Sequence, residues 1–293
     1  MTIVSAQQLE ACLALATSSS PLGDRVKEAL DVVYDILDTY GEDHVSLSFN
    51  GGKDCTVLLH LYAAALHHRR QTTPRQTEAA PTTNGLKPTP ISPAYSIPSI
   101  YIAPPSPFDE LEAFISACEQ RYHLSLFRTT TPPTASTDKG GDSMKHALET
   151  YKTQFPDIEA IFVGVRRGDP HGGKLAYKNP TDGDWPRFMR VHPIINWSYS
   201  EIWTFLRQLD VSYCDLYDIG YTSLGSTYNT FPNPALRRAR SSYDQKTSYL
   251  PAYELLDEAL ERAGRGQKTH LTVEVPSSEL PTPSMELTSP TMA

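Results

Sequence analysis

Apolar positions along this 293-residue chain recur with two periods. Spacings of three and four residues mark helices, and short β-branched runs mark buried strands. Leu9, Cys12, Leu13 and Ala16 predict a helix over 2–18. A break over 18–23 precedes a helix over 24–40, in which Val26, Leu30, Val33, Tyr34 and Leu37 share one face. The run at 45–49 reads as a buried strand, and Asp54 opens a strongly apolar helix over 55–67. Further strands are predicted over 99–103, 124–128, 159–163 and 191–195. Further helices are predicted over 109–122, 143–155, 201–208 and 251–263. Ser143 is the expected N-cap of the second of these and Ser198 or Ser200 of the third, while Gly264 is the expected C-cap of the last. Strands alternating with helices predict an α/β fold, a mostly parallel twisted sheet with helices on both faces. Ligands of such sheets bind beyond the carboxyl ends of the strands, so the loops after Phe49, Ala103 and Val163 are the candidate site.

The stretches between these elements set the domain organisation. Residues 71–98 are rich in Thr, Pro, Gln and Ala, cannot bury much apolar surface, and are expected to form a disordered surface insertion. Residues 129–141 read as a polar loop and 276–293 as a disordered tail. An α/β core is therefore expected over 1–196, a helical and loop extension that closes the site over 197–275, and the tail beyond.

Composition narrows the function classes. The net charge of −8 disfavours nucleic-acid binding. Cys12, Cys55, Cys118 and Cys214 form no C-x-x-C pair and read as buried free thiols of a reducing compartment. His60, His67 and His68 have no neighbouring carboxylate or cysteine that would make a metal site with them. No run of 18 apolar residues exists, and the N-terminus lacks the early basic residue of a targeting peptide. A cytoplasmic monomer acting on small molecules is the expectation.

The chemistry concentrates in Val45-Ser46-Leu47-Ser48-Phe49-Asn50-Gly51-Gly52-Lys53-Asp54-Cys55-Thr56. A strand, a Gly-Gly turn and a helix N-terminus point amide N–H groups and the positive end of the helix dipole at one spot, which is an anion site. Lys53 adds a full charge there. The loop is not a Walker A motif, because Asp54 follows Lys53. An ordinary β-α turn capped by Asp54 is the plainer reading of these residues alone. Downstream, Arg166 and Arg167 are adjacent cations at a strand end, suited either to phosphate or to a solvated turn. Asp182 precedes Trp185, Pro186, Arg187, Phe188 and Arg190, a carboxylate-indole-guanidinium set that suits a hydrogen-bonding aromatic heterocycle, although Trp185 is equally a core candidate.

Ser-Phe-Asn-Gly-Gly-Lys-Asp-Cys at 48–55 resembles the modified phosphate loop of the ATP pyrophosphatases. Its form is that of the eukaryotic FAD synthetases (FMN adenylyltransferases) of the PAPS-reductase-like group. Five further segments resemble the same family in the same order: Gly164-Val165-Arg166-Arg167-Gly168-Asp169-Pro170, Thr181-Asp182-Gly183-Asp184-Trp185-Pro186, Gly220-Tyr221-Thr222-Ser223-Leu224-Gly225, Asn233-Pro234, and Leu260-Glu261-Arg262-Ala263-Gly264-Arg265. The resemblance runs from about 47 to 265, and departs at Gly168, where relatives often carry Thr, and over 171–179. It implies an adenine nucleotide α-hydrolase-like, modified Rossmann fold and transfer of AMP from ATP to FMN with Mg²⁺, giving FAD and pyrophosphate. It also implies catalytic roles for Asn50, Asp54, Asp169, Asp182, Arg262 and Arg265. ATP contacts are implied for Leu47, Ser48, Phe49, Asn50, Gly51, Gly52, Lys53, Asp54, Ile102, Gly164 and Arg166. FMN contacts are implied for Asp169, Asp182, Gly183, Asp184, Trp185 and Arg190. Asp54 is expected to act through Mg²⁺ or as a helix cap. Arg262 and Arg265 are either helix-end cations or, as in the family, phosphate ligands on a mobile C-terminal segment.

Rival classes fit less well. A PAPS or APS reductase needs a C-terminal cysteine, yet none lies beyond Cys214. A tRNA-thiolating enzyme needs paired cysteines and a basic surface. A non-catalytic nucleotide-binding module would not be expected to retain Asn50, Asp54, Asp169, Asp182 and both arginines.

Overall fold

The computed structural model describes residues 3–72, 96–130, 141–238 and 248–266. Most of the expected insertion, most of the polar loop and the tail lie outside these residues. Six strands form one sheet: β1 (Val45–Ser48), β2 (Ile97–Ala103), β3 (Leu124–Thr130), β4 (Ala160–Val163), β5 (Lys178–Pro180) and β6 (Met189–Val191). Their order is β3-β2-β1-β4-β6-β5. All pairings are parallel except β5 with β6. The chain winds outward from β1 to β3, then returns to place β4 on the other side of β1. The β1–β4 junction is thus the topological switch point, where a crevice opens at the strand ends.

Alternation along the strands divides the apolar residues between two faces. Leu47, Phe162 and Val191 join the larger core with α1 (Ala6–Ala16), α2 (Pro21–Tyr40), α3 (Lys53–Thr72) and α4 (Asp109–Arg121). Ile100, Ile161 and Phe188 pack on the opposite face with Tyr151 of α5 (Gly141–Gln154). From Cys55 to Leu66, α3 is buried on every side, which explains its nearly continuous apolar sequence. The larger core continues into α6 (Tyr199–Gln208) through Ile202, Trp203 and Phe205 and onward to Leu236 and Leu255, so it crosses the expected boundary at 196.

Several expected elements change. Ser20 caps α2 with Pro21 in its first turn, so that helix begins earlier than expected. Ser143 lies inside α5 rather than at its cap. The strand expected over 191–195 is instead β6, and a turn follows it. The edge strand β5 was not anticipated; it has three residues, ends in Pro180 and carries no apolar alternation. The helix expected over 251–263 does not form. Two short 3-10 turns, Ala252–Glu254 and Glu258–Leu260, replace it. The break lies inside the segment: the Ala252 carbonyl accepts from the Tyr199 hydroxyl (2.7 Å), Leu255 and Asp257 take extended backbone, and the Asp257 carboxylate accepts from the Ala259 N–H (3.0 Å).

Candidate active site

The phosphate loop turns between β1 and α3 at the switch point. Gly51 has φ +71°, and a Cβ there would lie 2.7 Å from Ile115 Cγ1, so both backbone and space require glycine. Asn50 is exposed, and its Oδ1 accepts from the Gly52 N–H at 2.9 Å, which leaves the carboxamide NH₂ as a donor. The Lys53 N–H donates to the Tyr217 hydroxyl oxygen at 2.9 Å. Leu47 and Phe49 are core residues, so any contact they make with a ligand is through backbone.

The Lys53 side chain is buried, and its Nζ lies 2.9 Å from Asp54 Oδ2 and 5.1 Å from the Tyr199 ring centroid. It also pairs with Glu261. Arg166 is equally buried. Its Nε lies 2.7 Å from Asp54 Oδ1, without the alignment of a hydrogen bond, and its Nη2 lies 3.2 Å from Asp169 Oδ1 and 2.5 Å from Glu261 Oε2. The Asp169 carboxylate also accepts from the Arg166 backbone N–H at 2.8 Å. Burial would discharge these groups, but the mutual attraction outweighs it for Lys53, Asp54 and Arg166: the cations titrate above their ordinary values and Asp54 below. For Asp169 burial prevails over Arg166 and moves the carboxyl upward.

Gly164 brings the end of β4 against this cluster; a Cβ there would lie 2.9 Å from the Cys55 nitrogen. A cavity of about 230 Å³ remains between the phosphate loop and the C-terminal segment, lined in part by Asn50, Lys53, Asp54, Gly164, Asp169, Glu261 and Arg262. Arg262 is exposed, with Nη1 3.4 Å from Ser223 Oγ. Arg265 lies over Gly225 and donates to the Leu224 carbonyl at 2.6 Å. Burial first, and the neighbouring Arg262 second, lower its affinity for a proton. Neither arginine has a carboxylate partner among the described residues. Their segment is held at both ends, by Asn233 and Thr222 and by the pairing of Thr230 with Arg265, and is not the helix expected.

The remaining sequence candidates lie apart from this cluster. Arg167 diverges from Arg166 and donates to Asn196 Oδ1 (2.7 Å) and the Leu175 carbonyl (3.1 Å). Asp182, Gly183, Asp184 and Trp185 form the β5–β6 connection, which folds over α5 through the ion pair of Asp184 with Lys145 (3.0 Å). Arg190 pairs in register with Ile161, so it shares the α5 face of the sheet, and its Nη2 lies 3.8 Å from Asp182 Oδ1. Ile102 packs on this same face. Among the described residues, none of this second group bonds to the Lys53–Arg166 cluster.

Four contributors were not singled out in the sequence: Glu261, Tyr217, Tyr199 and Asn233. Glu261 and Asn233 stood inside motifs already noted, and their neighbours drew the attention. Nothing in the sequence distinguishes Tyr217 and Tyr199 from core aromatics.

A thiol route is closed at this site. Burial, then Asp54, pushes the Cys55 thiol up to about 12, and burial pushes Cys214 up to about 11. All four cysteines are buried and unpaired. Among the described residues no three His, Cys, Asp or Glu side chains converge as a metal cage, and no helix is long and apolar enough to cross a membrane.

A phosphate loop at the switch point of a parallel sheet, backed by buried cations, defines a nucleotide-binding α/β protein of the phosphoadenosine phosphosulfate reductase domain class, whose family model matches residues 44–232. Within that class, the chain is 35% identical over 244 residues to a probable FAD synthase of Schizosaccharomyces pombe, covering 83% of this chain and 80% of that protein. It is 38% identical over 244 residues to a probable FAD synthase of Caenorhabditis briggsae, covering 82% of this chain but 40% of that longer protein. Candida glabrata FMN adenylyltransferase, crystallised in complex with FAD and inorganic pyrophosphate, superposes with a TM-score of 0.70 at 28% identity, covering 88% of this chain and 98% of that one. The chain belongs to the FAD synthase family.

Proposed function

We propose that the protein is an ATP:FMN adenylyltransferase. A phosphate oxygen of FMN attacks the α-phosphorus of ATP, the bond from that phosphorus to the β-phosphate bridge breaks, and FAD and pyrophosphate leave. The observation that carries this reading is the convergence of the phosphate loop, buried Lys53 and exposed Arg262 on one cavity, with buried Arg166 ion-paired to Asp54 and Asp169 of its wall. Two polyanions must meet here, so the work is neutralisation and alignment. The nucleophile needs no base, because a phosphate monoester with its second pKa near about 6 is mostly dianionic at neutral pH. Tyr217 and Cys55, held protonated by burial, fit a site without a general base.

Asn50 donates to a phosphate oxygen, Lys53 and Arg166 take the β- and γ-phosphates, and Arg262 with Arg265 takes charge developing at the α-phosphate. Asp54 and Asp169 line the cavity and would hold Mg²⁺ together with substrate phosphates and water, the mixed ligation this ion favours. Mg²⁺ would there screen the triphosphate and the departing pyrophosphate.

The flavin is assigned to the α5 face of the sheet, against Asp182, Gly183, Asp184, Trp185 and Arg190, with Asp169 between it and the phosphates. Among the described residues the buried Arg190 Nε has no acceptor, which supports a ligand atom there. The C-terminal extension supplies Tyr217, Arg262 and Arg265 and closes the nucleotide half. Incubation with ATP, Mg²⁺ and FMN, followed by chromatography, is expected to yield FAD and pyrophosphate in equal amounts; folded protein that yields none would overturn the proposal. Asp182→Ala is expected to weaken FMN binding, read by flavin fluorescence, more than ATP binding. The opposite order would reverse the flavin assignment.

A further inference from the structure

No step of adenylyl transfer requires Glu261, yet it bridges both buried cations of the site. One carboxylate oxygen pairs with Lys53 Nζ, and the other lies 2.5 Å from Arg166 Nη2. The side chain is only 12% exposed. Its backbone is held separately, since the Glu261 carbonyl accepts from Thr222 Oγ1 at 2.6 Å and the preceding Leu260 carbonyl from Asn233 Nδ2 at 2.7 Å. The anchor is therefore in the main chain, while the carboxylate reaches the cations through rotatable side-chain bonds. Two oxygens of one anion on two buried cations is the arrangement a bound phosphate group makes.

The charge count gives this contact a consequence. Lys53 and Arg166 face three carboxylates, those of Asp54, Asp169 and Glu261, so with Glu261 in place the cluster is net negative. Arg262 on the same cavity adds positive charge, but the two buried cations are neutralised toward a triphosphate for as long as Glu261 holds them. Asp54 and Asp169 lie on the phosphate loop helix and the adjoining β4 loop, which leaves Glu261, donated from the distant C-terminal segment, as the carboxylate able to leave. Glu261 also lines two spaces at once. One is the cavity of about 230 Å³ at the phosphate loop, and the other, of about 560 Å³, is bounded by Arg25, Arg166, Arg167 and Trp197.

We infer that Glu261 is a built-in counter-anion for Lys53 and Arg166: its carboxylate stands where a nucleotide phosphate binds, is displaced by ATP, and returns in competition with pyrophosphate after transfer. Glu261 thus weakens ground-state binding of both polyanions without touching the reacting atoms, and it shortens the residence of the product. It is a positioning residue that acts through two cations. This inference rests on the ATP-dependent reading above.

The test is calorimetric titration of the full chain with Mg²⁺-ATP and with Mg²⁺-pyrophosphate, without FMN. Glu261→Gln keeps the shape and removes the charge, and is expected to bind both about tenfold more tightly, the scale of one charge-assisted contact. Glu261→Asp keeps the charge but is too short to span both cations from the same backbone, and is expected to fall between the two. In turnover, Glu261→Gln should lower the KM for ATP and also lower kcat, as release slows. A purely structural glutamate would instead raise KM and lower Tm together. Unchanged or weaker binding of both polyanions by folded Glu261→Gln would overturn the inference, as would unchanged affinity in Glu261→Asp if the Gln variant does not fold. Binding is measured apart from FAD formation, so wild-type protein that binds ATP but makes no FAD would count against the proposed function alone.

Discussion

Single residues in this site separate into those that hold charge in place and those that await it. Arg262 is exposed and has no carboxylate partner among the described residues, so Arg262→Ala should leave Tm almost unchanged. As a phosphate ligand, however, it should cost about 1.5–3 kcal/mol in the transition state, roughly tenfold to a hundredfold in kcat/KM. Arg265 packs on Gly225 and bonds the Leu224 carbonyl, so its alanine variant should lose both rate and some stability. Wild-type kinetics in both variants would return them to a structural role. Asn50 and Asp54 divide in the same way. Asn50→Ala should reduce turnover with Tm intact, whereas Asp54→Ala strips a partner from two buried cations and should destabilise by about 3–5 kcal/mol as well. Equal melting temperatures for the two variants would contradict this. His60 is buried on α3, with Nδ1 2.9 Å from the Tyr122 hydroxyl, and burial lowers its pKa from 6.5 to about 4. The unfolded chain therefore binds a proton that the folded one refuses. This contribution is complete above pH 6.5, is lost as pH falls toward 4, and amounts to about 3 kcal/mol. Denaturant unfolding across this range should show the slope in the wild type and a shallower one in His60→Gln. Asn50, Lys53 and Asp54 were legible in the sequence because a strand, two glycines and a helix fix where they point. Glu261 was not, because its partners are more than 90 positions away and no local pattern announces a long-range ion pair.

Among the elements, those with one strong period could be read directly and those shaped by distant hydrogen bonds could not. The helices α2, α4 and α6 follow their apolar stripes, and α6 has in addition a capping box from Ser198 to Glu201. The strand β5 has three residues with Pro180 at its end, so there was no alternation to read. The 251–263 segment has helix-forming composition, but Tyr199 takes the Ala252 carbonyl and the Asp257 carboxylate takes the Ala259 N–H, so side-chain bonding overrides propensity. Asn233 is fully buried; besides the Leu260 carbonyl it donates to Thr222 Oγ1 at 2.9 Å and accepts from the Ala235 N–H at 2.9 Å. Asn233→Ala would orphan the Ala235 N–H at about 1–3 kcal/mol, strip one bond each from the Leu260 carbonyl and Thr222 Oγ1, and loosen the segment that carries Glu261, Arg262 and Arg265. A drop in both Tm and kcat is expected. A normal kcat in a destabilised variant would show that the segment finds its position without this anchor.

On the scale of the whole molecule, the fold class was legible because alternating strands and helices allow few arrangements, and the parallel order around β1 follows from right-handed crossovers. The continuous core was less so. Residues on both sides of 196 fill it together, and the site likewise draws its phosphate loop from one part and Tyr217, Glu261 and Arg262 from the other. The account's central claim is that these parts bring an FMN phosphate oxygen onto the α-phosphorus of ATP. The most direct test uses FMN carrying ¹⁸O at all three terminal phosphate oxygens, with unlabelled ATP and Mg²⁺, and mass analysis of both products. The account predicts FAD that keeps all three labels, one of them now in the bridge, and pyrophosphate that carries none. Label in pyrophosphate, or the formation of AMP in place of FAD, would contradict it.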